Sequence, residues 1–190
     1  MKNIFAAALV AAMLMAVGCR QPSVPKPAGY FRIDLPEKRY VRYETPCSYS
    51  IEYPDYARIN LKPGSARDTC WMDIEFPSMR AKIHLTYFDI RNNLASLTEL
   101  SRELAYKHTI RADAIDEKLW ADDSAHVYGI LYDLKGNTAS SVQFYVTDSI
   151  RHYLRGSLYF MAEPNEDSLL PVINFLREDI IHLIETLNWE

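Results

Sequence analysis

ASSVQFYVTDSIRHYLRGSLYFM, residues 139–161, contains two strands and the turn between them. The runs 139–147 and 151–161 are rich in the β-branched and aromatic residues that suit a pleated, half-buried surface. Thr147-Asp148-Ser149 breaks them with turn-forming side chains. Just upstream, 115–120 and 125–134 read the same way, and Asp133-Leu-Lys-Gly136-Asn137 supplies another hairpin turn. Residues 113–161 are therefore an antiparallel meander.

Strand signals also dominate the first half, at 49–53, 57–61, 71–76 and 81–88. The last of these alternates, with Ile83, Leu85 and Tyr87 on one face and Lys82, His84 and Thr86 on the other. That spacing leaves His84 on a polar face without a special role. Two helices interrupt the strands. Ser96-Leu-Thr-Glu99 matches a capping box and opens a helix to about Lys107, with Leu97, Leu100, Leu104 and His108 as its stripe. Leu169, Val172, Ile173, Leu176, Ile180, Leu183, Ile184 and Leu187 repeat at three- and four-residue steps, the core face of a closing helix led in by 164–167. Pro171 falls in its first turn, where the missing N–H costs little. The order of elements predicts an α+β fold, an antiparallel β-sheet sandwiched by helices, similar in element order to the Mog1/PsbP-like domains.

The N-terminus sets the compartment. Lys2 carries a charge, residues 4–17 are apolar or small, and Gly18-Cys19 precedes the polar Arg20-Gln21-Pro22. These are the parts of a secretory signal, and the apolar run is too short for a membrane span, which needs ~20 residues. A Cys directly after the small residue resembles a bacterial lipoprotein signal, with Cys19 acylated as the new N-terminus. Ala16 stands where that class usually has Leu. The expected organisation is a signal peptide over 1–18, a Pro-rich tether over 19–28 and a single α+β domain over 29–190. Within the lead into the domain, 29–36 is aromatic and apolar enough to lie along its surface.

The whole chain carries 21 basic and 25 acidic side chains, a net −4. Cleavage at Cys19 removes Lys2 and makes it −5. That acidity argues against nucleic acid, which calls for a basic stripe. Cys47 and Cys70 remain, an even number in an oxidising compartment. Each opens a short strand-like run that stops at a proline, so the expectation is a Cys47–Cys70 disulfide, with two buried free thiols as the alternative. Zinc bound by Cys47, Cys70 and His84 lacks any supporting spacing.

No catalytic pattern rises above background. Asp148-Ser149-x-x-His152 has the residue types of a hydrolase triad without its spacing or a nucleophile elbow. Asp122-Asp123-x-x-His126 is short of ligands for a metal. Glu163, Glu166 and Asp167 sit where a helix N-terminus favours acids. The 13 tyrosines point weakly to interfaces. The expectation is therefore no enzyme, no cofactor and no metal.

Several stretches together resemble the gliding motility lipoprotein GldD family of the Bacteroidetes. They are Cys19, PAGYFRIDLPEKRY (27–40), Thr45-Pro46-Cys47 with Cys70-Trp71, His84-Leu-Thr-Tyr87, the helix at Ser96, TDSxxHYLRGSLYF (147–160), and 164–189. The resemblance implies a membrane-anchored accessory protein of the gliding machinery, tied in that phylum to type IX protein secretion, with envelope proteins as partners. It brings no catalytic residues. Some surface-exposed lipoproteins of the phylum carry Ser and acids after the lipidated Cys. Arg20-Gln21-Pro22-Ser23-Val24 has no acids, so the expected location is periplasmic, at either membrane. Candidate contact residues are Tyr30, Phe31 and Arg32 in the lead segment, and Tyr153, Arg155 and Tyr159 on a presumed edge at 153–160. The alternative is a small-ligand carrier with a pocket between sheet and closing helix.

Overall fold

Alternating side chains build the architecture of this chain, and a computed structural model describes it for residues 33–62, 70–107, 112–162 and 165–190. The elements run β1 (Tyr40–Glu44), β2 (Tyr49–Pro54), β3 (Arg58–Leu61), β4 (Trp71–Phe76), β5 (Ala81–Asp89), α1 (Leu94–Tyr106), β6 (Ala114–Asp122), β7 (Val127–Lys135), β8 (Ser140–Thr147), β9 (His152–Phe160), α2 (Glu166–Glu185) and β10 (Asn188–Trp189). Seven strands form one antiparallel sheet in the order β3-β4-β5-β9-β8-β7-β6, and β1-β2-β10 form a small second sheet. This is the α+β sandwich expected from the sequence. Strands β1 and β10 are additions: one is a charged edge and the other is two residues long, so neither has enough alternation to read.

One face of the large sheet is apolar. Ile74, Ile83, Leu85, Phe144 and Leu154 are all buried there against Leu176, Ile180 and Leu183 of α2, and Tyr49 and Ile51 of β2 join the same cluster. Removing a side chain such as Leu176 from water contributes roughly 2–3 kcal/mol. Gly156 is part of this fit. It lies opposite Phe144 in β8, and a Cβ there would run into the Phe144 ring.

Helix α2 starts at Glu166, with Asn165 accepting from the Ser168 amide at 3.2 Å, three residues before the apolar stripe begins. Pro171 is therefore in the second turn, not the first. It is exposed there, so the carbonyl it leaves unpaired is not sealed in the core.

Helix α1 covers part of the opposite face. Its start differs from the capping-box reading: the helix begins at Leu94 and Ser96 lies within it. The Asn93 side chain, at the cap position, accepts from the Arg91 amide and makes no cap bond to the helix, whose Leu97 amide is served by the Asn93 carbonyl. The buried stripe is Leu97, Ser101 and Ala105, while Leu100 is 43% exposed. The rotation follows from what lies beneath. Tyr153 donates to the Leu97 carbonyl at 3.0 Å and meets Ser101 Oγ at 2.7 Å. Tyr145 stacks on Tyr153 at 5.3 Å, and small residues on the helix let it sit close to these rings. His108 and Glu163 lie outside the described residues.

The start of the domain is held to α2 by one buried carboxylate. Asp179, 1% exposed, accepts from Lys38 Nζ at 2.7 Å, Tyr40 Oη at 2.8 Å and Tyr56 Oη at 2.6 Å. Lys38 also donates to the Phe175 carbonyl and lies over its ring. The Tyr40 ring stacks on His182, which pairs with Glu52. Leu35 packs on the core, so the described part of the lead segment does run along the domain.

Candidate functional site on the polar face of the sheet

Where α1 does not reach, the sheet face opposite α2 is polar. Strand pairing lines up Asp73 of β4, His84 of β5, Ser157 of β9 and Gln143 of β8 in a single row. Each of these lies between inward-pointing apolar neighbours, so the alternation that builds the core also exports the polar set to one face.

Asp73 is the anchor of the row. Its carboxylate is fully buried, with His84 Nδ1 at 2.6 Å, Lys62 Nζ at 2.7 Å and Lys82 Nζ at 3.2 Å. Burial works against its charged form, but the bonds from Lys62, His84 and Lys82 outweigh it and hold the carboxyl below its ordinary range. His84 thus has a defined partner, which the sequence reading did not anticipate.

Arg155 lies beside this row. Its Nη2 donates to Gln143 Oε1 at 2.8 Å, and burial pulls its pKa down from the usual arginine value. The presumed edge at 153–160 is corrected by the topology: β9 is a central strand between β5 and β8. Tyr153 is 0% exposed beneath α1 and offers no contact surface, whereas Arg155 and Tyr159 remain partly exposed. Cys19, Tyr30, Phe31 and Arg32 lie outside the described residues.

The 148–152 turn is a folding device. Asp148 Oδ1 accepts from the amides of Ile150, Arg151 and His152 at 2.8–2.9 Å, and Ser149 is exposed with φ 68°. His152 is buried, stacked on Trp189 at 5.3 Å, with Nδ1 2.7 Å from Tyr87 Oη. A Tyr87 hydroxyl that donates to Asp89 Oδ1 at 3.1 Å accepts from the Nδ1–H tautomer of His152. Burial lowers the His152 pKa, so the imidazole stays neutral. Ser149 sits on the exposed turn whereas the His152 ring is buried against Tyr87 and Trp189, so the placement of the two side chains does not favour a nucleophile and base.

Asp122 Oδ1 likewise accepts from Ser124 and Ala125 in a turn. Cys47 and Cys70 are bonded, with Cα atoms 5.4 Å apart, which removes their thiolates from any zinc site. Among the described residues, no group of three His, Cys, Asp or Glu side chains is placed to hold a metal. Among the described residues, Phe144 and Leu154 of the sheet pack with Leu176 and Ile180 of α2 in one buried cluster, which does not favour the alternative reading of a carrier pocket between them.

The described residues define an α+β module with one apolar and one polar sheet face. The family described as gliding motility lipoprotein GldD matches residues 20–189, and the chain belongs to that family. Its members are lipid-anchored proteins of the cell envelope with a part in gliding motility. No curated protein matches the chain significantly. Among solved structures, the chain is similar to cyanobacterial PsbP from Synechocystis sp. PCC 6803, at 11% identity and a TM-score of 0.49, over 87% of this chain and 100% of that one.

Proposed function

We propose that this protein is a periplasmic, non-enzymatic interaction module of the gliding machinery and its associated type IX secretion system. Acyl chains on Cys19 hold it at the membrane, the tether over 19–28 sets its reach, and the domain over 29–190 docks on envelope partners. Multiple acylation gives a firm anchor, since each buried CH2 contributes about 0.8 kcal/mol. The observation that carries the reading is the family match across 20–189, directly after a signal that ends at Cys19. Tyr30, Phe31 and Arg32 with Arg155 and Tyr159 are the contact residues of this proposal.

Cross-linking in native envelopes, comparing the wild type with Cys19→Ser, tests it. A stoichiometric motility or secretion component captured only with the anchored form supports the role. Unchanged gliding and unchanged complexes in a strain lacking the protein overturn it. Digestion by external protease in intact cells would instead move the domain out of the periplasm.

A further inference from the structure

Two buried hydrogen-bond donors on the polar face have no acceptor, and a guanidinium beside them has no carboxylate among the described residues. Gln143 Nε2 and Ser157 Oγ are buried and make no hydrogen bond, in residues only 2% and 0% exposed. Arg155 meets a neutral carbonyl, Gln143 Oε1, and no carboxylate among the described residues. Ser157 is the direct cross-strand partner of Gln143, and Arg155 precedes it by two on the same face of β9. Asp73, the buried acid of this face, is already saturated by Lys62, Lys82 and His84.

We propose that Arg155, Gln143 and Ser157 form a binding site for an oxyanion, a carboxylate or phosphate group. The missing partner has to be an acceptor, because a guanidinium and an amide NH2 only donate and the serine hydroxyl is free to donate. Native proteins pair nearly all buried polar groups, so two unpaired ones on adjacent strands call for a ligand. The bond from Arg155 turns the Gln143 carbonyl towards the guanidinium and leaves its NH2 for another acceptor. Arginine presents its remaining N–H groups in a fork that matches carboxylate and phosphate. The local field agrees. Arg58, Lys62, Lys82 and Arg155 lie on this face with Asp73 and Glu75 at the β3-β4-β5-β9 end, while Glu117 of β6 lies on the same face at the far end of the row, beyond Tyr132. Partly exposed Arg155 forms the mouth, with Ser157 and Gln143 as the floor. The site goes beyond the docking role and stands whichever complex the lipoprotein serves.

The test uses the full lipidated chain in neutral detergent at constant ionic strength. The nitrogen-attached proton signals of Arg155 Nε and Gln143 Nε2 are followed by NMR during titration with inorganic phosphate, with acetate and with short-chain phosphatidylglycerol. Saturable shifts of both signals are expected. Arg155→Met should weaken binding roughly tenfold or more, as loss of a charge-assisted pair does. Ser157→Ala and Gln143→Leu, which keep the guanidinium, should each weaken it severalfold. Saturation by the free anions assigns a soluble ligand, and saturation by phosphatidylglycerol alone assigns a lipid headgroup. No saturable shift with any of the three overturns the site. Unchanged affinity in Arg155→Met, or in both other variants should that one fail to fold, overturns it as well.

Discussion

The two faces of the seven-stranded sheet are built from the same strands, yet they do different work. Towards α2, Ile74, Leu85, Leu154 and their neighbours are sealed in an apolar layer. On the other side, Asp73, His84, Ser157 and Gln143 form a polar row one residue out of step. Each face has a buried aspartate near it, and the two are held differently. Asp179 joins tyrosine hydroxyls and one lysine, tying the start of the domain to α2. Asp73 is surrounded by lysines and a histidine that are each about one-third exposed. The first arrangement resembles core construction, whereas the second leaves charge facing solvent. Stability is therefore concentrated on the α2 face, while the polar face carries partly exposed charge.

The largest test of that contrast is Leu176→Ala, which opens a cavity on the apolar face. It should cost about 3 kcal/mol or more in urea unfolding. Leu100→Ala, on the exposed side of α1, should stay within about 0.5 kcal/mol. Equal losses would remove the asymmetry.

Next is the bond between Cys47, just before β2, and Cys70, just before β4, which ties the small sheet to the large one. Replacing both by Ala should cost about 3 kcal/mol for the 23-residue separation on the chain-entropy model. Non-reducing mass spectrometry of the native protein should show the pair two hydrogens lighter than the dithiol. Free thiols in oxidised material would contradict the bond.

The aspartates sharpen the comparison further. Asp179→Asn should cost about 2 kcal/mol, because two tyrosine hydroxyls and a lysine lose their charged acceptor. Asp73→Asn should cost less, about 1 kcal/mol, since its lysines remain hydrated. Thermal melts at matched pH order the two, and the reverse order would mean that the polar face holds the fold.

The smallest effect is on pH dependence. His152 has a folded pKa below its ordinary value, so the unfolded chain takes up the proton first as pH falls. Its contribution is complete above about pH 6.5 and declines below that until the folded imidazole also titrates. The slope is at most about 1.4 kcal/mol per pH unit. His152→Gln should flatten the pH 5–7 limb of the stability profile. Asp73 is held low, so its contribution persists above about pH 4 and is lost in acid.

Much of this molecule was legible in its sequence. Period-two alternation marked the long strands, and three- and four-residue steps marked α2, because each pattern is the surface of one element and needs no distant partner. The lipoprotein signal and the family resemblance were also there, since both are carried by contiguous residues. The tertiary structure decided what depends on neighbours far along the chain. Tyr153, an attractive contact residue in a supposed edge, is buried because β5 and β8 flank its strand and α1 lies over it. The inward stripe of α1 passes through Ser101 and Ala105 because tyrosines beneath demand small residues. The polar row could not be read at all, because Asp73, Gln143 and Ser157 are ordinary polar positions until strand pairing sets them side by side. Local periodicity tells which face a side chain takes, but only register tells which side chains share it.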